Sequence, residues 1–202
     1  NSANKAGGSC YTLESLRRIS RLAHTEELRV HMDGARSVNA AVSQGYSLKE
    51  MCREVDSLTL CLSKGLGAPV GSMLCGSRAF ILQARRVRKL LGGGMRQAGF
   101  MAAAGLYALK HHISRLEEDH INARIIAEGA ARSSAFGIDP EEVETNIVIA
   151  STGSIPASQI VLDLSSRGIA ASTMGPHLVR FVTHLDITRQ DADQAARVIA
   201  EL

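Results

Sequence analysis

"DSLTLCLSKGLGAPVGS", residues 56–72, is the stretch on which the reading of the chain turns. Residues 58–62, Leu-Thr-Leu-Cys-Leu, have the short, β-rich character of a buried strand. Lys64 follows among glycines and apolar residues that offer almost no partner for a charge. A second strand-like run, "VGSMLCGS" (70–77), comes next. A lysine in such a setting is expected to lose solvation, which favours the neutral amine and makes it a usable nucleophile of the kind Schiff-base chemistry needs. On spacing alone, a surface loop lysine is the preferred reading.

Outward from this stretch the elements alternate. Upstream, "TLESLRRISRLAHTEE" (12–27) predicts a helix capped by Thr12, with Leu13, Leu16, Ile19 and Leu22 on one face. "LRVHMD" (28–33) predicts a strand ending in Asp33, and "GARSVNAAVSQG" (34–45) a turn and short helix. Downstream, residues 78–91 predict a helix presenting Phe80, Ile81, Ala84, Val87 and Leu91, which "LGGGMRQAG" (91–99) breaks. "QAGFMAAAGLYALKHHI" (97–113) is small and apolar almost all round and predicts a helix packed on several sides; residues 114–133 predict a surface helix. This order is the signature of an α/β domain with a mostly parallel sheet.

Beyond "FGIDP" (136–140) the character changes. Strands over 144–151, 169–172 and 178–184, a helix over 156–168 and a capped helix from Thr188 to the end make a small α+β unit. The expected division is a large domain over 1–120 and a small one over 121–202.

Composition narrows the function. The 202 residues are 45% hydrophobic, enough for a sizeable core, yet only 3% aromatic with no Trp. The net charge of +3 is weak, and the aromatics that a single-strand binder interleaves with basic residues are missing. No nucleic-acid partner is expected. No stretch approaches the ~20 apolar residues of a transmembrane helix, so no membrane partner is expected, and the composition reads as intracellular, with a cytoplasmic location expected. Cys10, Cys52, Cys61 and Cys75 form no CxxC pair, and Cys61 and Cys75, inside apolar runs, are expected as buried reduced thiols. No metal-ligand spacing is present. "GLGAPVG" (65–71) is not a dinucleotide loop, because Pro69 and a strand follow where the fingerprint must open a helix.

Asp33 and Lys64 each close a predicted strand, and in open α/β sheets ligands bind at the carboxyl ends of strands. A carboxylate beside a Schiff-base lysine suits a pyridine nitrogen that must stay protonated. A satisfied strand-end aspartate is the other reading of Asp33.

Three stretches are more specific: "HMDGARSVNAAV" (31–42), "DSLTLCLSKGLGAPVGSMLCGSR" (56–78) and "VRKLLGGGMRQAGFMAAAGLYAL" (87–109). Together they resemble the low-specificity threonine aldolases, pyridoxal-phosphate enzymes of the aspartate-aminotransferase-like fold. "VRFVTHLDIT" (179–188) resembles the same family's substrate-binding stretch. The resemblance implies that Lys64 forms the imine with pyridoxal 5'-phosphate and that Asp33 pairs with the pyridine nitrogen. It further implies that Arg36 and Arg180 hold the substrate carboxylate. Arg96 would reach the cofactor phosphate of a neighbouring subunit, with Lys89 nearby, in a homo-oligomer built as a dimer of dimers. The implied reaction is cleavage of L-threonine or L-allo-threonine to glycine and acetaldehyde, by a base the sequence does not identify. A β-eliminating lyase on the same scaffold and a non-catalytic truncated product are the alternatives. Two departures stand out. Ser2 and Ala3 replace Thr and His of the family's Asn-Thr-His-Asn, and the family's first hundred-odd residues have no counterpart, so a C-terminal part of the fold is expected.

Overall fold

The structure, a computed structural model, describes residues 2–202. The chain forms two compact units, one over Tyr11–Ser114 and the other combining Ser2–Cys10 with Arg115–Leu202. The division therefore falls after Ser114 rather than after residue 120, and the opening loop joins the second unit. Among the described residues no helix is long and apolar enough to cross a membrane.

In the first unit, helix α1 (Leu13–Thr25) starts where the Thr12 hydroxyl accepts the Ser15 N–H at 3.1 Å. Strand β1 (His31–Gly34), helices α2 (Ser37–Gln44) and α3 (Leu48–Cys52) and strand β2 (Ser57–Cys61) follow, then β3 (Ser72–Gly76), α4 (Arg78–Leu90) and α5 (Gly99–His111). The sheet order is β1-β2-β3. β1 and β2 are parallel, as the α/β reading requires, whereas β2 and β3 are antiparallel. The connection over 62–71 is too short for a parallel crossover, which takes a dozen or more residues. Leu16, Met32, Ala41, Tyr46, Met51 and Leu58 make the core between the sheet and its helices.

Three helical faces predicted to be covered are not. Leu16 is buried on α1 but Ile19 and Leu22 are exposed, no residue of α4 is buried, and α5 buries only Gly105 and Ala108. The apolar patterns are as read; the described residues leave these faces uncovered.

The second unit is a three-stranded antiparallel sheet, order β4-β6-β5, formed by β4 (Ile147–Ser151), β5 (Ser172–Gly175) and β6 (Leu178–Val182). Helices α6 (Leu116–Arg132), α7 (Ala157–Ser166) and α8 (Arg189–Ala200) accompany it. The expected surface helix α6 is a core helix: Leu116, Ala123, Ile126, Ala127 and Ala130 are buried, and its small residues let α8 approach closely. β5 begins three residues later than predicted, because the Gly168 and Ile169 N–H groups still bond the Ser165 and Leu164 carbonyls of α7 at 3.1 and 2.9 Å.

Candidate active site

In the parallel ladder His31 lies opposite Ser57 and Asp33 opposite Thr59. Met32 and Gly34 turn into the core, so strand alternation puts His31 and Asp33 on the other, exposed face. Both ring nitrogens of His31 are engaged there, Nδ1 with Ser57 Oγ at 2.9 Å and Nε2 with Thr59 Oγ1 at 3.1 Å. His31 is thus a satisfied histidine. Asp33 Oδ1 accepts the Ala35 N–H at 3.0 Å, an Asx turn that fixes the carboxylate as the chain leaves the strand. Arg36, half-buried, then caps α2.

Lys64 sits in a knotted turn just past β2. Its carbonyl accepts the Gly67 N–H at 2.8 Å, the Leu62 carbonyl accepts the Ala68 N–H at 3.0 Å, and the Leu62 N–H reaches the Gly71 carbonyl at 2.9 Å. Gly67 takes φ of 70°, a conformation that favours glycine. Leu62, Leu66 and Ala68 point inward and are buried. Helix α5 holds the turn from behind. His112 Nδ1 donates to the Leu66 carbonyl at 2.7 Å, and a Cβ at Gly105 would stand 2.9 Å from Leu62 Cδ1, so the helix passes close to the leucine that anchors the turn. The desolvation expected for Lys64 is not met over these residues: the leucines fill the interior and the lysine side chain is left exposed.

Cys61 and Cys75 are half-buried, not buried, because they lie on the sparsely covered sheet; none of the four cysteines is in a disulfide. Burial pushes the Cys61 thiol up, but hydrogen bonds with Ser63 and the charge of Lys64 outweigh it and hold the thiol below its ordinary value. Arg96 is exposed in the loop between α4 and α5, beside Gln97 at φ of 51°. Lys89 packs against this loop, its side chain lying within 3.3 Å of the place a Cβ on Gly94 would occupy. Among the described residues no group of His, Cys, Asp and Glu is placed to hold a metal ion.

Arg180 belongs to the second unit, on the middle strand β6, opposite Ile149 and Ser172. Val179 and Phe181 point into the core, so Arg180 is on the outer face, half-buried. Its Nε donates to Ser172 Oγ at 3.1 Å and its Nη1 to Asn4 Oδ1 at 2.8 Å. Sequence reasoning missed Asn4, which lies 176 residues away along the chain, so no local pattern could announce the pair.

The first unit thus carries a carboxylate near the carboxyl end of β1 and an amine just past that of its parallel neighbour β2, and the second carries a guanidinium. The architecture is that of an α/β fold with charged side chains at strand ends. A family model described as beta-eliminating lyase matches residues 1–152, and the chain belongs to that family. It is 41% identical over 193 residues to the low specificity L-threonine aldolase of Escherichia coli (strain K12), covering 96% of this chain and 56% of that protein. It is 39% identical over 196 residues to the probable low-specificity L-threonine aldolase 2 of Arabidopsis thaliana, covering 96% and 55%. A putative aromatic amino acid beta-eliminating lyase/threonine aldolase from Exiguobacterium sp. 255-15 shares the fold at a TM-score of 0.79 and 22% identity, over 96% of this chain and 58% of that one. A putative L-allo-threonine aldolase from Listeria monocytogenes EGD-E does so at 0.79 and 20%, with the same coverage. The chain spans about half the length of the curated relatives it matches.

Proposed function

We propose that the full-length protein is a pyridoxal-phosphate-dependent aldolase that cleaves L-threonine or L-allo-threonine to glycine and acetaldehyde in the cytoplasm. The observation that carries this reading is the placement of Lys64 and Asp33 at the same end of two parallel neighbours. The donor set fits the group: an accessible amine for its aldehyde and an oriented carboxylate for its pyridine nitrogen. When bound, pyridoxal phosphate supplies an aldehyde that captures amines and a ring that accepts the electron pair released from Cα.

The remaining work falls to side chains of the protein. Lys64 Nζ would be the group's covalent anchor. Asp33, held by the Ala35 N–H, keeps the proton on the pyridine nitrogen. Arg36 and Arg180 bind the substrate carboxylate. The proton lost by the β-hydroxyl is balanced by the one gained at Cα, so glycine and acetaldehyde together account for every atom of threonine. Arg96, exposed in its glycine-rich loop, is proposed to serve the neighbouring subunit's phosphate site, and the uncovered apolar faces of α4 and α5 support burial in an assembly.

The family description itself favours one second reading, β-elimination. Incubating the purified full-length protein with L-threonine and L-serine separates the two: glycine with acetaldehyde supports the aldolase, and pyruvate or 2-oxobutyrate supports elimination. If the complete protein sedimented as a monomer with full activity, the shared-site role of Arg96 would be wrong.

A further inference from the structure

Arg180 is a half-buried cation whose two hydrogen-bond partners are both neutral: an amide oxygen of Asn4 and the hydroxyl of Ser172. No carboxylate pairs with it among the described residues, and three of its five N–H groups, both on Nη2 included, make no bond there. A guanidinium held in place without being neutralised keeps its full attraction for an incoming anion. A carboxylate in either position would satisfy the geometry equally well but would cancel the charge.

The loop that carries Asn4 is built for the purpose. Residues 4–6 form a single 3₁₀ turn, with the Ala3 carbonyl accepting from Ala6 and Gly8, each at 3.1 Å. The Gly8 carbonyl takes hydrogen bonds from Ser2 Oγ at 3.0 Å and Thr145 Oγ1 at 2.8 Å, both residues being fully buried. A Cβ on Gly8 would collide with Thr145 Oγ1 and crowd Ile147, so the loop closes on the start of β4 only with glycine there. Cys10 N–H reaches Glu144 at 3.3 Å and closes the segment. The Asn4 amide is therefore presented by a fixed loop. Because arginine can only donate, the amide must turn its oxygen to Arg180, which leaves its NH₂ pointing elsewhere.

We propose that Asn4 is a positioning residue for substrate binding: together with Ser172 it orients the Arg180 guanidinium toward the substrate carboxylate while leaving its charge uncompensated. This rests on the reading of Arg180 as a carboxylate ligand.

The test uses the full-length holoenzyme and the variants Asn4→Ala, Asn4→Asp and Arg180→Ala. Steady-state kinetics with L-threonine are combined with calorimetric glycine binding, cofactor absorbance and melting temperature. Asn4→Ala is expected to raise KM and the glycine Kd about tenfold, the worth of one hydrogen bond to a charged group, with kcat and cofactor uptake little changed. Asn4→Asp is expected to raise both further while melting no lower than Asn4→Ala, because an ion pair now neutralises Arg180. A merely structural Asn4 gives the opposite order: aspartate, which also accepts from arginine, restores the glycine Kd. That result overturns the proposal. If Arg180→Ala leaves the glycine Kd unchanged, the carboxylate-ligand reading itself fails. If Arg180→Ala weakens glycine and neither Asn4 variant does, only the positioning role fails.

Discussion

Lys64 and Lys89 stand 25 positions apart and in different settings, which makes them a matched pair for a test. Lys64 follows a sheet strand and is fixed by a turn that α5 braces; Lys89 lies in the last turn of a helix that has no buried residue. In the full-length protein Lys64→Ala is expected to abolish the visible absorbance of bound cofactor and to lower turnover by orders of magnitude without unfolding. Lys89→Ala is expected to keep the absorbance. Borohydride reduction and peptide mapping check this directly, and label on a lysine other than Lys64 would sink the assignment. At this scale the chain was largely readable: a lysine placed after a β-rich run and before a glycine turn needs no partner residue to be noticed. Its exposure was not readable, because the direction of a side chain in a ten-residue loop depends on which leucines find the core. Asn4 was invisible for a different reason, since its contact with Arg180 joins segments 176 residues apart, while that of Ser172 depends on the register of β5 against β6.

At the scale of elements, α6 is where periodicity misled. Its charged residues suggested a solvated helix, yet Asp119 is fully buried, its carboxyl pushed up by that burial and held by Arg115 one turn earlier. Removing Arg115 leaves a buried, unpaired carboxyl, so Arg115→Ala should cost about 3–5 kcal/mol. The double variant Arg115→Met, Asp119→Leu should recover most of it, as chemical unfolding can measure. Gly129, on the same helix, faces Ala196 so closely that an added Cβ would lie 2.6 Å from its Cα; Gly129→Ala should cost about 1–3 kcal/mol by overpacking. His120 carries the pH dependence of this helix. Burial lowers its pKa to about 4, below the usual value near 6.5 for a free histidine. Between those limits the unfolded chain binds the extra proton, so stability should fall as pH drops from about 6.5 to about 4. His120→Gln is expected to flatten that limb of a melting-temperature profile, and an unchanged slope would assign the acid sensitivity to another group.

At the scale of the whole molecule the two units differ in how completely they bury what they are made of. The second unit closes its own core, with Ile147, Val148, Leu164, Val179 and Ile199 fully buried between sheet and helices. The first unit has a core on one side of its sheet only, and its α4 and α5 carry Phe100 at 88% exposure, Leu90 at 76% and Leu106 at 68%. Exposed apolar side chains of that size are what an interaction face is expected to present. The fold class was legible because alternation and order survive without the covering layers; the exposure was not, since an apolar helix reads the same whether or not something lies on it. Hydrogen exchange should therefore divide the 202-residue chain in two. Amides of β4, β6, α6 and α8 should exchange slowly, while those of α4 and α5 exchange orders of magnitude faster. In the full-length assembled protein the same α4 and α5 amides should become protected, and Phe100→Ser with Leu106→Ser should undo that protection and lower the sedimentation coefficient. Equal protection of α4 and α5 in the short and full-length chains would show that these helices are stable without cover, and the interaction face would have to be sought elsewhere.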